Sequence, residues 1–211
     1  MAMAVRVTAR YGINATAYLA RAKSRLQENT AEALFYAAFE LRCFVEARQD
    51  DYLDAQKEYA RSIPKAYKIG AQGKALERIF DSKEIQSFVF AVEDGETFQG
   101  YHVPVGRKLR NEAEWLGNLL HAQMRWRALE DPWWGTTRDR LLAIYRLAWT
   151  CAQGNLPSPL FMTNGKTIGN VRVYGTAEEL ASLQKALPAG AKGLMQVNYL
   201  RSPPETWRCD L

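Results

Sequence analysis

The stretch TAEALFYAAFELRCFVEARQDDYLDAQKEY, residues 30–59, decides how this chain folds, because it is the most apolar of the helix-prone runs and holds neither Gly nor Pro. Thr30 places a short hydroxyl where it can accept from free amides at a helix start, although the acidic residue of a capping box is missing three positions on. Leu34, Ala38, Leu41 and Val45 recur at helical spacing. Phe35, Tyr36, Phe39 and Phe44 cover the flanks, so the first half is apolar almost all round and is expected in the middle of a bundle. Arg42 and Glu46, four residues apart beside that stripe, are positioned to pair.

Composition bounds the rest. A chain of 211 residues suits one medium domain, or one with a small appendage. Its charged residues, 24% of the total, and its hydrophobic ones, 47%, are those of a globular protein and argue against wholesale disorder. Six Trp and ten Tyr supply either bulky core or contact surface. The formal charge of +5 permits a polyanionic partner without demanding one. Cys43, Cys151 and Cys209 are odd in number and form no CxxC, which argues against a disulfide framework or zinc knuckle and for a reducing compartment. The opening MAMAVRVTAR lacks the apolar core of a signal peptide, and no run nears the length that crosses a bilayer. A cytoplasmic protein without membrane partners is expected.

Outside the central run, Val5 and Val7 alternate with Arg6 and Thr8 as a short strand would, and residues 14–27 make an amphipathic helix with Arg21, Lys23 and Arg25 on its basic side. Ile63-Pro64 marks a break, which Gly70 and Gly73 prolong before a short helix over 74–80. Residues 85–103 change period around Glu93-Asp94-Gly95-Glu96 and read as a β-hairpin. Leu109 to Leu129 returns to helix, with Leu109, Ala113, Leu116, Leu120 and Met124 along one stripe. Its other side carries Arg107, Arg110, Glu114, His121 and Arg125. After the turn Asp131-Pro132-Trp133-Trp134-Gly135, Thr136 or Thr137 is expected to cap a helix over 138–153 whose core side holds Leu141, Ile144, Tyr145, Ala148 and Trp149. Asn155-Leu156-Pro157-Ser158-Pro159 is the candidate boundary. Beyond it the pattern is ββαβ: 160–163, an Asn164-Gly165 turn, 168–174, a helix over 177–186 with the capping box Thr176/Glu179, and 194–200. The tail SPPETWRCDL is expected to be flexible or docked on a neighbour.

Gly165-Lys166-Thr167 ends like a phosphate-binding loop, but Leu160 stands where the first glycine belongs and strand follows where helix is needed, so a hairpin turn is the better account. Asp50, Asp51 and Asp54 spell DDYLD, similar to the magnesium-binding motif of prenyl-diphosphate synthases. A single copy in a short chain reads instead as the solvated end of a helix. His102 and His121 are the only histidines; no HExxH, GxSxG or metal spacing accompanies them, and no cofactor or metal site is expected. His102 falls at a strand end, where a surface or loop role is the default. His121 lies at helical offsets from Asn118 and Arg125, with which it would share a polar patch.

AEALFYAAFELRCFVEARQDDYL, followed by YHVPVGRKLRN and EWLGNLLHA, resembles the HEPN-like helical proteins of bacteria, found in toxin-antitoxin, abortive-infection and other defence loci. The resemblance covers about residues 14–153. Active members pair an Arg and a polar residue with a His four to six positions on, and cleave RNA without metal across a dimer. Here Arg110-Asn111 matches the first half, but the next histidine is His121, eleven residues later, or about 16 Å along a continuous helix. The resemblance therefore implies a chain without the standard nuclease motif. A composite site remains open in which His121 or Arg125 meets Arg42 or a second subunit.

These readings predict an α+β protein: a helical bundle over 1–153 with an inserted hairpin at 85–103, and a small C-terminal ββαβ unit with its tail over 160–211. The expected function is a non-catalytic RNA-associated or assembly module of a bacterial defence or stress system, with Arg107, Lys108, Arg110, Arg125 and Arg127 facing nucleic acid. One alternative is a protein-interaction subunit, contacting a protein partner or a second copy through Trp126, Trp133, Trp134 and Trp207. Another is a weak metal-independent ribonuclease with a dimer-built site, for which His121, Arg110, Arg42 and Glu46 are the catalytic candidates.

Overall fold

A computed structural model describes residues 11–56, 67–79, 84–92, 97–123, 125–159, 161–163, 166–168, 178, 181 and 193–211. The readings of residues 1–10, of Ile63-Pro64, of the turn at 93–96 and of the Thr176-capped helix lie outside these, Glu178 and Ala181 excepted.

Among the described residues, five complete helices, a three-stranded antiparallel sheet and a two-stranded pair give the α+β class expected: α1 (Ala15–Glu28), α2 (Ala31–Ala55), α3 (Ile69–Ile79), β1 (Ile85–Val92), β2 (Thr97–His102), α4 (Arg107–Leu120), α5 (Trp133–Ala152), β3 (Phe161–Thr163), β4 (Lys166–Ile168) and β5 (Gly193–Leu200). Helix α2 is the axle, packing against each of the other four. Its start is fixed by Thr30, whose Oγ1 accepts from the Ala33 amide at 3.2 Å. Leu34, Ala38, Leu41, Phe44, Val45, Tyr52 and Leu53 enter the core. Tyr36 and Phe39 do not, being 60% and 44% exposed, so α2 has an open aromatic flank where an all-round apolar surface was expected.

Asn14 caps α1 through Ala17 N at 2.8 Å. The basic side of this helix is neutralised: Arg21 pairs with Glu40, Lys23 with Asp210 and Arg25 with Glu28.

Three boundaries differ from expectation. Helix α3 begins at Ile69, so Gly70 and Gly73 lie within it rather than in a loosened linker. Helix α4 ends at Leu120, and Leu119 rather than Leu120 completes its buried stripe. Gln123 folds back to donate to the carbonyls of Asn118 and His121, both at 3.1 Å, and so ends the helix. Beyond the next segment, Trp134 donates back to Ala128 O and stacks edge-on to Phe35, 6.0 Å between centroids. Helix α5 starts at Trp133, because Asp131 Oδ1 accepts from the Trp133 amide and Pro132 presets the backbone. Thr136 and Thr137 are thus inside the helix, not caps, and Thr137 is buried.

The hairpin pairs as predicted, from Gln86 opposite His102 to Ala91 opposite Thr97. Strand β5 adds to its other side, from Ile85 opposite Leu200 to Val92 opposite Gly193, giving the order β2-β1-β5. The last strand of the expected ββαβ unit thus completes the hairpin's sheet, while among the described residues β3 and β4 pair with each other. The tail packs on its own chain: Asp210 accepts from Tyr145 and pairs with Lys23, Arg146 donates to Leu211 O, and Trp207 stacks edge-on to Tyr101.

Candidate functional site

The junction between the hairpin and α4 is fastened from three sides. Tyr52, fully buried on α2, donates its hydroxyl to Val103 O at 2.5 Å. The His102 ring lies 5.1 Å from that of Tyr52, and its Nδ1 is 3.0 Å from Leu156 O. A carbonyl oxygen only accepts, so the proton of the neutral ring sits on Nδ1. Burial holds the imidazole uncharged, with its pKa lowered to about 4. Arg48 donates to Cys151 O at 3.3 Å and to Gly154 O, bringing a cation to the C-terminal end of α5, where it meets the negative end of the helix dipole. The expected surface role of His102 is therefore replaced by one inside the fold. At the sequence level only its position after a strand was visible, not the Tyr52 above it.

Residues 104–106 lead from this anchor into α4 and wall a cleft of about 820 Å³ between α3 and α4. Helix α3 contributes Gly70, Ala71, Lys74, Leu76 and Glu77; α4 contributes Arg107, Arg110, Asn111 and Glu114; Tyr52, His102, Pro104, Val105 and Gly106 complete the lining. Positions 107, 110, 111 and 114 share one helix face. The two helices approach through the glycines of α3. A Cβ on Gly73 would lie 2.6 Å from Arg110 Cδ, and one on Gly70 would lie 2.6 Å from Glu114 Oε1. Arg110 is clamped to Glu77. Among the described residues, the side chains of Lys74, Arg107, Asn111 and Glu114 engage in no hydrogen bond or ion pair.

The amino end of α4 opens at this cleft. Gly106 is its cap residue and gives it no side-chain acceptor, and the first turn carries no acid. Arg107 and Lys108, both exposed, stand there instead. Their charges oppose the helix dipole, a cost that a bound anion would offset while satisfying the first amides.

The strip predicted from Arg107 through Arg110 and His121 to Arg125 is divided. Arg107 lines the cleft with exposed Lys108 next to it in the first turn, and Arg110 is engaged by Glu77. His121 is exposed just past the helix end, in extended backbone. Arg125 is exposed in the irregular segment beyond it, and Arg127 stacks on Trp133 at 4.0 Å. No hydrogen bond or ring contact joins His121 to Arg125 or Arg42 among the described residues. Arg42 and Glu46 pair as expected, Nε to Oε1 2.9 Å, and Arg42 also donates to Ala113 O and Tyr67 O, which makes the pair a latch between α2, α4 and the approach to α3. Of the four tryptophans expected at a contact surface, Trp126 is 86% exposed, while Trp133, Trp134 and Trp207 pack on the core. Lys74, Asn111, Glu114 and Gly106 were missed as site residues. The 107/110/111/114 spacing after an uncapped Gly106 was legible, but not that α3 faces it.

The DDYLD aspartates end α2, with Asp50 accepting from Gln72 at 3.4 Å. Among the described residues no group of His, Cys, Asp or Glu is gathered to hold a metal ion. No helix there is long and apolar enough to cross a membrane. Compared with known proteins, the chain matches no family model, no curated protein and no solved structure.

Proposed function

We propose that this chain is a non-catalytic RNA-associated module of a bacterial defence or stress system, of the toxin-antitoxin or abortive-infection kind. The observation that carries the RNA reading is the cleft between α3 and α4, which Lys74 and Arg107 line, with exposed Lys108 beside Arg107 in the first turn of an uncapped helix. The defence setting rests on the HEPN-like resemblance of residues 14–153. Binding is favoured over cleavage because Arg110 and Arg42, two of the catalytic candidates, are committed to Glu77 and Glu46.

Titrating a labelled single-stranded oligoribonucleotide at increasing salt tests the reading. About three phosphate contacts give a slope of log K against log salt near −2. Lys74→Glu and Arg107→Glu should each weaken binding at low salt, and no binding by the unaltered protein at low salt would end the proposal. The protein-interaction reading is favoured by exposed Tyr36, Phe39, Trp126 and Leu129; it predicts association that salt hardly changes. An RNase assay on His121→Ala disposes of the dimer-built nuclease if activity equals that of the unaltered chain.

A further inference from the structure

The cleft changes chemistry along its length. At one end are the first amides of α4 with Lys74 and Arg107, which offer donors and positive charge. Seven residues along the same helix face, about 10 Å by the helical rise, Glu114 offers a carboxylate with no hydrogen bond or ion pair among the described residues. Leu76, Pro104 and Val105 give the cleft apolar wall. A ligand suited to this arrangement is anionic at one end, flat and apolar in its body, and a hydrogen-bond donor at the other. Its volume is that of a small-molecule site, and what RNA can offer such a site is an unpaired, splayed-out nucleotide rather than a duplex.

Gly106 adds a separate observation. Its φ of −62° is open to any residue, and a Cβ there would meet nothing within 4 Å. Neither backbone conformation nor packing calls for glycine; its effect is to leave the helix end uncapped and open to the cleft.

We propose that the cleft seats one nucleotide unit, either a free nucleoside monophosphate or an unpaired position of an RNA strand. The phosphate lies at the amino end of α4 beside Lys74 and Arg107, and the base lies against the apolar wall. Glu114 accepts from an exocyclic amino group, so cytosine, adenine and guanine are preferred over uracil. For the strand, this rests on the RNA reading above.

Calorimetric titration of the full chain with cytidine monophosphate, uridine monophosphate and ribose 5-phosphate, beside single-stranded oligoribonucleotides, tests it. The cytidine nucleotide should bind about tenfold more tightly than the uridine nucleotide, the worth of a hydrogen bond to a charged group. Glu114→Ala should abolish that difference and leave ribose 5-phosphate unchanged. Gly106→Asp supplies the missing cap, so it should raise the melting temperature while weakening every phosphorylated ligand at least tenfold. Lys74→Gln should weaken them in the same direction without touching the helix end. Equal affinities for the two pyrimidine nucleotides, or full affinity in a stabilised Gly106→Asp variant, would overturn the proposal. RNA binding that cytidine monophosphate cannot displace and that Gly106→Asp leaves intact also overturns the nucleotide seat, while sparing RNA association. Nucleotide binding without RNA binding does the reverse.

Discussion

Burial of His102 between Tyr52 and Leu156 O ties the stability of this protein to pH. Its pKa falls from 6.5 to about 4 on folding because the interior disfavours the charged ring. Between those values the unfolded chain binds more protons than the folded one, so stability is full above about pH 6.5 and declines as pH falls toward 4. The loss is on the order of a few kcal/mol. Glu46 and Asp51, whose pKa values burial raises, act in the opposite sense. We therefore expect the effect in the difference between the unaltered chain and His102→Phe, measured by denaturant unfolding from pH 7 to 4. A constant difference across that range would refute it. At the same scale, Arg42→Ala removes a half-buried cation from Glu46 and donors from two carbonyls, and should cost about 2 kcal/mol. A cost below about 0.5 kcal/mol would show the latch to be energetically idle.

Elements meet closely where side chains are absent. Gly100 on β2 lies opposite Phe88 on β1, and a Cβ on it would come 2.1 Å from the Phe88 ring. Phe88 belongs to a second apolar cluster with Leu156, Phe90, Phe98 and Val197, so its ring cannot swing aside without disturbing three strands. Gly100→Ala is expected to destabilise by about 1–3 kcal/mol, the usual range for overpacking. Gly73→Ala on α3 should behave differently. The three atoms nearest its new methyl all belong to the flexible side chain of Arg110, and alanine favours helix over glycine by about 1 kcal/mol. Stability should hold or rise while Arg110 is pushed from Glu77. Thermal melts of the two variants check both, and a harmless Gly100→Ala would refute the packing argument.

At the scale of the whole molecule, chain ends far apart in sequence close the fold. Strand β5 pairs with β1, and Trp207, Cys209 and Leu211 pack on the helical core, with Asp210 joining Lys23 of α1 to Tyr145 of α5. Removing residues 203–211 exposes apolar surface worth about 3 kcal/mol, or roughly 6–12 °C in melting temperature. An unchanged melting temperature would mean that the tail contributes nothing to the bundle.

Local chemistry wrote much of this architecture into the sequence. Thr30, the 3.6-residue recurrence of Leu34, Ala38, Leu41 and Val45, the four-residue spacing of Arg42 and Glu46, and the change of period at Ile85 each depend on neighbours within a turn or a hairpin. One chain therefore suffices to read them. What tertiary structure alone decided depends on partners distant in sequence. Gln123 ends α4 before His121 can join the basic strip, and Tyr52 and Leu156 take His102 inside. Strand β5 crosses to the hairpin, and α3 comes up against α4 to turn four residues on one helix face into a cleft. Burial and close approach are properties of surfaces brought together, and no periodicity along the chain specifies which surfaces meet.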